Sequence, residues 1–448
     1  MSRQPDSPTI LEPPQNLAST FRFLGPGLVL SAAVVGSGEL IATTVLGAKT
    51  GFTLLWIILL SCFAKVAVQV QYGRHVIAHG LPSFQAWDRT KGHRLWGRHW
   101  SIYAGLLFML SAFIGAGGIM AGAAQVLMYA FPALRVELWA MAIALILALL
   151  VCNGKYGQVE KIATALNCIF VASILYCNLA AQRSPYAFGF ADLLGGLKFR
   201  LPPEGLALVV AVFGITGVGA GEIVMYPYWC LEKGYSAWAG PSDGSPEWLA
   251  RARGWIRVMQ LDAVLSLAVY TVATCGFYFL GASVLRPHGT IADGTQLVVQ
   301  LSGIFTKVLG PGSQAVFMTC AFTVLFATLF SNTAGFSRLW TDMFGVLRIV
   351  DTSDGRKRLR TIAILAWALP AIWCATCLLV HKPLYLVTFM GISNSLFLLM
   401  VAWQALAFRY GHTDRRLAPS AAFDGALWLS IVAIAFVAIR VSWSLLGK

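Results

Sequence analysis

Two short glycine-glutamate segments are the part of this sequence best suited to chemistry. Residues 36–39 read Gly-Ser-Gly-Glu and residues 219–222 read Gly-Ala-Gly-Glu, each in the middle of a long apolar run. A glycine destabilises a helix interior by about 1 kcal/mol relative to alanine, so paired glycines predict a locally unwound helix. Unwound backbone leaves carbonyl and amide groups without helical partners. An adjacent carboxylate can supply oxygen ligands to a cation, or it can itself exchange protons.

The composition places these segments in a membrane protein. The chain has 448 residues, of which 58% are hydrophobic and 12% charged, whereas a soluble domain has about 25% charged residues. The net charge of +14 comes from basic residues between the apolar runs, where the positive-inside rule expects them. A function in nucleic-acid binding is therefore disfavoured, and the expected surroundings are membrane lipid.

Apolar runs of about 20 residues are long enough to cross a bilayer as helix. We predict an all-α polytopic membrane protein with eleven spans, at residues 23–49, 51–72, 102–130, 136–153, 158–181, 205–232, 259–285, 310–338, 359–380, 384–409 and 425–446.

The loops predict an orientation. Arginine and lysine are concentrated in the loops after spans 2, 6, 8 and 10, which puts the N-terminus in the cytoplasm and the C-terminus outside. Residues 1–22 read as a disordered cytoplasmic tail, and they lack the apolar stretch of a signal peptide. We expect a multi-pass protein of a bacterial inner or plasma membrane.

The two glutamate segments lie five spans apart, which is typical of a transporter built from repeats. Five is an odd number, so the second repeat must be inverted relative to the first. The predicted units are a first repeat at 23–181, a second repeat at 205–409, and an extra helix at 425–446.

A glutamate at the bilayer centre is costly when ionised and needs a cation, a proton or a donor. Lys65 is the clearest cation within the spans, whereas Arg338 and Asp342 are expected to pair with each other at a helix end.

Each glycine-glutamate segment has an alternative interpretation, in which the glycines only allow close helix packing and the glutamate caps backbone amides. Span 10 adds one polar candidate. The predicted substrate ligands are Glu39, Glu222, the backbone at Gly36, Gly38, Gly219 and Gly221, and Asn394.

Residues 25–80 resemble the first two helices of the Nramp divalent-metal transporters. The matching elements are the Gly-Pro-Gly opening at 25–27, the break at 36–39, Gly51-Phe52, Gln69 and Arg74. The start of span 5, at 157–161, and the layout of span 6 are also similar.

The resemblance implies a LeuT-type fold of five plus five helices with helices 1 and 6 broken, and proton-linked uptake of divalent metal ions. The family's metal site uses an Asp-Pro-Gly-Asn motif in helix 1 and a Met-Pro-His motif in helix 6. Here Gly36 and Glu39 stand at the Asp and Asn positions, and Gly221 and Glu222 at the Met and Pro positions. Ile223 follows in place of the histidine, and span 3 carries no charged residue.

These substitutions change which metal ions the site would favour. Loss of the methionine thioether removes a ligand that favours softer transition metals, while carboxylates and carbonyls suit hard cations such as Mg²⁺ or Mn²⁺. We therefore expect a secondary transporter of a cation, with the metal as substrate and no bound cofactor. Proton coupling, direction, stoichiometry and oligomeric state stay open.

Two other classes of function stay open. A LeuT-type carrier of a small organic solute would hold a substrate carboxylate on the free amides, although two glutamates would repel it. A membrane enzyme or a non-transporting sensor is the third. The sequence has no HExxH or GxSxG motif and no cluster of histidines with carboxylates in the spans, so we expect no enzymatic activity.

Overall fold

The structure is a computed structural model that describes residues 10–36, 38–200, 212–214, 216–289, 302, 306, 311–380 and 383–446. It is a helical bundle with one small hairpin, β1 (Arg94–Leu95) and β2 (Arg98–His99), which pair antiparallel. The α-helices are α1 Leu17–Thr20, α2 Pro26–Val34, α3 Thr44–Thr50, α4 Leu55–His79, α5 Ser83–Asp88, α6 Trp100–Ala130, α7 Val136–Val151, α8 Tyr156–Gln182, α9 Phe190–Gly195, α10 Ala220–Lys233, α11 Tyr235–Ala239, α12 Pro246–Leu280, α13 Pro311–Val346, α14 Gly355–Leu379, α15 Pro383–Ala407 and α16 Ala421–Leu446.

Shorter helical turns connect or extend these helices. Three are π-helical, at Gly38–Thr43, Gly281–Leu285 and Phe408–His412. Four are 3₁₀ turns, at Phe21–Phe23, Gly51–Leu54, Arg286–His288 and Arg415–Leu417.

The described helices fit a multi-pass membrane protein. By length and hydropathy eight of them can cross a bilayer, and nine when the bent pair Leu17–Phe23 and Pro26–Val34 counts as one span. Each of the eleven predicted spans contains described helix, although residues 205–211 of span 6 lie outside the described residues. Helix α7 has only 16 residues, fewer than the ~20 that a straight crossing needs.

Both predicted helix breaks are present. Helix α2 ends at Val34, and the chain becomes helical again at Gly38, as a π-helical turn that leads into α3. In the second break, residues 212–214 are helical, residues 216–218 bend, and α10 begins at Ala220 with Gly219 as its N-cap. Gly217 has φ +68°, and a Cβ there would lie 2.9 Å from the Cα of Cys62. Only glycine fits such a positive-φ position pressed against another helix.

Helix α12 shows which way the first broken helix runs. In the middle of α12, Asp262 Oδ2 accepts a hydrogen bond from the N–H of Gly27, at 2.5 Å. Near its end, the carbonyl oxygen of Tyr278 would lie 2.4 Å from a Cβ added at Gly47. The first broken helix therefore runs parallel to the second half of α12, and its two halves contact the middle and the end of that helix.

The chain reverses at Gly51. Gly51 has φ +62° and ends α3. Immediately afterwards the N–H of Leu54 donates to the hydroxyl of Tyr278, at 2.9 Å, and by Gly73 helix α4 packs against Met259. Helix α4 thus returns along α12 to the level at which the first helix began, which we call the N-terminal face of the bundle.

The small residues of α6 allow close helix packing, as glycine does in membrane bundles. A Cβ at Gly115 would lie 2.1 Å from the sulfur of Met390 in α15, and a Cβ at Gly117 would lie 2.6 Å from Thr376 in α14. Cys374 and Cys377 are free thiols buried in α14. Their CxxC spacing is therefore part of the packed helix.

Residues 10–22, the described part of the segment predicted as a disordered tail, are in contact with the bundle. The N–H of Leu11 donates to the carbonyl oxygen of Trp238, at 3.1 Å, and the indole of Trp255 donates to the carbonyl oxygen of Leu11, at 3.0 Å. Helix α1 is capped by the side chain of Asn16. The backbone of α11 and the Trp255 side chain of α12 hold this segment, and a composition rich in proline and polar residues does not indicate these contacts. Residues 1–9 lie outside the described residues.

Candidate ion site at the two helix breaks

Glu39 lies inside the first break and is fully buried. Its Oε2 accepts a hydrogen bond from the N–H of Gly36, at 2.9 Å, and its Oε1 lies 3.5 Å from the hydroxyl of Thr274. The carboxylate therefore sits at the N-terminal end of the second half-helix, where unpaired N–H groups and the helix dipole favour negative charge.

Glu222 repeats this arrangement in the second break. It follows the N-cap Gly219 by three residues, and a Cβ at Gly219 would lie 2.5 Å from Glu222 Oε2. The Glu222 side chain is 8% exposed, and it repels the carboxylate of Glu39 electrostatically. Both glutamates thus fold back over the glycine three residues before them, so the two segments are alike in geometry as well as in sequence.

A small cavity lies beside these breaks. Its volume is about 20 Å³, room for one water molecule or one bare ion. Its walls come from both broken helices and from α6, α13 and α15. The lining residues are Ala33, Val34, Gly38, Ile119, Glu222, Thr328, Asn332, Met390 and Asn394.

Two amide side chains in this wall have unused acceptors. Asn394 is 3% exposed and Asn332 is 2% exposed, and neither Oδ1 accepts a hydrogen bond from the protein. The Nδ2 of Asn394 donates to the carbonyl oxygen of Met390, at 3.2 Å. A buried polar atom without a partner costs about 1–3 kcal/mol. A cation bound beside Glu222 would satisfy both oxygens.

The predicted site residues separate into two groups. Gly38, Glu222 and Asn394 line the cavity. Glu39 and the backbone of Gly36 and Gly219 form the two carboxylate caps beside it. Gly221 is not among the lining residues, and a Cβ there would lie 3.4 Å from the ring of Phe108.

Two cavity residues were not predicted as ligands. Asn332 and Thr328 lie one turn apart on α13, and both line the cavity. Thr328 Oγ1 also lies 3.1 Å from the carbonyl oxygen of Val35 at the first break and 3.1 Å from that of Val324 in its own helix. Polar residues spaced by four in an apolar helix were the available signal, because residues at that spacing share one face.

Lys65 is buried in α4 and is held by the second break. Its ammonium donates to the carbonyl oxygens of Phe213 and Thr216, the latter at 2.8 Å, and to the hydroxyl of Ser61, at 2.9 Å. It also interacts electrostatically with Glu39 and Glu222. The predicted cation is therefore close to both acids but bonded to backbone.

The expected pair between Arg338 and Asp342 is wrong. Arg338 pairs with Glu232 of α10, with Nη2 2.8 Å from Oε2. Asp342 accepts hydrogen bonds from the N–H of Phe84, at 3.0 Å, and from the hydroxyl of Tyr228. Spacing of four within α13 allowed a local pair, but partners on neighbouring helices satisfy both charges.

The donor set is rich in oxygen. Among the residues that the structure describes, no group of three or more histidine, cysteine, aspartate or glutamate side chains could hold a metal ion. The cavity instead combines Glu222 with two amide oxygens, and Met390 adds a thioether to its wall. Such ligands suit a hard divalent cation better than a soft one.

Sequence comparison gives the family. Residues 27–444 match the family described as natural resistance-associated macrophage protein-like, or Nramp. The chain belongs to the Nramp family. The match runs from the first broken helix into α16, so it covers both helix breaks and nearly the whole bundle.

Curated relatives include two bacterial proteins named as divalent metal cation transporters. The divalent metal cation transporter MntH of Mycobacterium leprae is 24% identical over 326 residues, covering 71% of this chain and 69% of that protein. MntH of Granulibacter bethesdensis is 26% identical over 306 residues, covering 67% of this chain and 63% of that protein.

Solved structures share the fold. A mutant of the Eremococcus coleocola manganese transporter superimposes with a TM-score of 0.70 at 14% identity, covering 99% of this chain and 92% of that one. MhsT in complex with L-phenylalanine gives a TM-score of 0.55 at 13% identity, covering 97% and 99%. This Nramp-family chain therefore has the LeuT-type architecture, and the prediction of that fold is confirmed.

Proposed function

We propose that this protein is a secondary transporter that moves a divalent metal ion across the membrane by alternating access. Glu222, Asn332 and Asn394 are the side-chain ligands, and the backbone of the first break near Gly38 completes the site. Glu39 is not among the cavity-lining residues, and it contributes a second negative charge near the site. Mn²⁺ and Mg²⁺ are the favoured substrates because the ligands are mainly oxygen.

The observation that carries this proposal is the pair of unpaired amide oxygens beside Glu222. Asn332 and Asn394 come from different helices, yet both lie in the wall of one cavity next to a buried carboxylate. Buried polar groups in proteins are nearly always hydrogen-bonded. Two unused acceptors and one acid in the same wall fit a site built for a cation.

The relatives support a metal substrate. The MntH proteins of M. leprae and G. bethesdensis are named divalent metal cation transporters, and the E. coleocola structure is of a manganese transporter. This chain lacks the metal-binding motifs that the resemblance implied. Its glutamates stand at or beside those motif positions, so carboxylates replace the lost aspartate and methionine as ligands.

Cavity size separates this proposal from transport of an organic solute. Sites for drug-sized molecules enclose about 300–1,000 Å³, whereas this cavity encloses about 20 Å³. The fold alone does not choose between the classes, because MhsT shares it and binds L-phenylalanine. The small volume and the buried negative charge favour a single ion.

Alternating access requires the broken helices to move against the rest. On the N-terminal face, Asp262 accepts from the N–H groups of Gly25 and Gly27 and lies 3.2 Å from the hydroxyl of Tyr226 in α10. These contacts hold α2 and α10 together against α12. We propose that this face is cytoplasmic in a bacterial inner membrane and that it opens when these contacts break.

The test is uptake of Mn²⁺ by purified protein in liposomes. Glu222→Gln and Asn394→Leu are expected to reduce uptake by at least tenfold, because each removes a ligand from the ion. Glu247→Gln is the matched control, since Glu247 is exposed in the first turn of α12. Parent-like uptake by both site variants would contradict the site. Uptake of none of Mn²⁺, Mg²⁺ and Ca²⁺ by the parent would contradict the function.

A further inference from the structure

The ammonium of Lys65 donates hydrogen bonds to backbone carbonyl oxygens at the second helix break. All three of its N–H bonds are used, by the carbonyls of Phe213 and Thr216 and by Ser61 Oγ. The side chain is fully buried, and Nζ lies 4.6 Å from the centroid of the Phe213 ring. A cation is thus already held by backbone oxygens, a hydroxyl and an aromatic face.

These oxygens are what a metal cation would seek in a broken helix. The carbonyls that end a half-helix lack N–H partners and carry the negative end of the helix dipole. In broken membrane helices, such carbonyls coordinate ions. Here Phe213 and Thr216 both precede the bend at Gly217, and Lys65 fills the position where an ion would otherwise bind.

A carbonyl group at the first break has a different kind of partner. The carbonyl of Val35 at this break lies 3.1 Å from the hydroxyl of Thr328, a neutral group. The two breaks are therefore alike in sequence but unlike in charge. One carries a carboxylate with a hydroxyl, and the other carries a carboxylate with an ammonium close by.

Lys65 is separate from the ion cavity but acts on it through charge. It is not among the cavity-lining residues, and it forms no ion pair within 4 Å with either glutamate in the described part of the chain. Its positive charge is nevertheless close enough to interact with Glu39 and Glu222. A cation bound beside these carboxylates is therefore repelled by the ammonium of Lys65. With both carboxylates ionised, the three charged groups sum to −1.

We infer that Lys65 is a built-in cation that determines ion selectivity. Its ammonium uses the carbonyl and hydroxyl oxygens at the second break. The transporter therefore binds one divalent ion in the cavity and no additional monovalent ion at the second break. Removing the ammonium frees these oxygens for a monovalent cation such as Na⁺ and strengthens divalent binding at Glu222. The second effect rests on the proposed transport function, whereas the first does not.

The test uses full-length protein with Lys65→Met, a side chain of similar length without charge. Thermal unfolding is measured in NaCl, in KCl and in choline chloride at equal ionic strength. The parent and Lys49→Met, which alters an exposed lysine at the end of α3, are expected to unfold at one temperature in all three salts. Lys65→Met is expected to be stabilised by Na⁺ or K⁺ in a saturable way, relative to choline.

Binding of Mn²⁺ is then measured by calorimetry in choline chloride. The affinity of Lys65→Met is expected to exceed that of the parent by at least about tenfold, because a nearby unit charge no longer opposes a divalent ion. Lys65→Arg keeps the charge and is expected to show neither change. A Lys65→Met protein that is indifferent to Na⁺ and K⁺ would overturn the inference, whatever its Mn²⁺ affinity.

Loss of folding is also informative. Lys65→Gln keeps one donor for the carbonyls and serves if Lys65→Met does not fold. If neither variant folds in Na⁺ or K⁺, a monovalent ion cannot replace the ammonium and the inference is wrong. If the parent binds no divalent ion but Lys65→Met is stabilised by Na⁺, divalent transport fails and the role of Lys65 stands.

Discussion

The carboxylate of Glu39 accepts a hydrogen bond from the backbone N–H of Gly36, at 2.9 Å, and so closes the first helix break on itself. Glu222 stands in the same relation to Gly219, three residues before it, but also lines the cavity. One glutamate of the repeated motif therefore mainly caps backbone, while the other also faces the ion.

Glu39 is expected to matter first for stability. Glu39→Gln keeps an acceptor for the Gly36 N–H, whereas Glu39→Ala leaves that donor buried and unpaired, at a cost of about 1–3 kcal/mol. Thermal unfolding in detergent should therefore show a clear loss of stability for the alanine variant and a small change for the glutamine variant. Equal losses for both would mean that the charge, not the hydrogen bond, stabilises the break.

Asn394 is expected to behave in the opposite way. Asn394→Leu removes an unpaired buried oxygen and keeps the volume, so unfolding without metal should be unchanged or shifted upward. The affinity for Mn²⁺ should fall at least tenfold, since an oxygen ligand is lost. Asn167→Leu is a useful comparison, because the Oδ1 of Asn167 is also unpaired but its Nδ2 donates to the carbonyl oxygen of Leu28 in another helix, at 2.7 Å. The Nδ2 of Asn394 donates only within its own helix, so the Asn167 variant alone should lose stability.

Met390 is expected to affect the choice of metal. Its thioether lies in the cavity wall between α6 and α15, and sulfur ligands favour softer ions over hard ones. Met390→Leu should lower the preference for Cd²⁺ over Mg²⁺ in a competition assay, with little change for Mg²⁺ itself. An unchanged ratio of the two affinities would show that the sulfur does not contact the ion.

Asp262 is expected to hold the N-terminal face closed. Asp262→Asn replaces one acceptor by a donor, so the N–H groups of Gly25 and Gly27 cannot both keep their partners. Hydrogen exchange in the peptide covering residues 22–34 should become faster. Asp243→Asn alters an aspartate in an exposed loop and should leave that exchange unchanged, and equal acceleration in both variants would point to general loosening instead.

Much of the fold was predictable from sequence because it depends on local composition. Apolar runs indicated the spans, and the glycines of residues 36–39 and 219–222 indicated the two breaks, since glycine weakens a helix wherever it stands. The cavity was less predictable. Asn394 was predicted as a ligand and lines the cavity, whereas Asn332 lines it too but was not predicted, because periodicity does not say which neighbour a helix faces.

The partners of buried charges were the least predictable feature. Arg338 and Asp342 are spaced for a local pair, yet each is satisfied by other helices. Lys65 was a candidate partner for the glutamates, but it is bonded to carbonyls about 150 residues away in sequence. Such pairings depend on the tertiary arrangement of the broken helices, which no local pattern encodes.

The most direct test of the ion site is a crystal structure of the protein soaked with Mn²⁺, with anomalous scattering recorded at the manganese edge. Our account predicts one strong anomalous peak in the cavity, within about 2.5 Å of an oxygen of Glu222 and of the amide oxygens of Asn332 and Asn394. It also predicts that the peak is lost in Glu222→Gln. A peak away from these residues, in protein that transports Mn²⁺, would contradict the account.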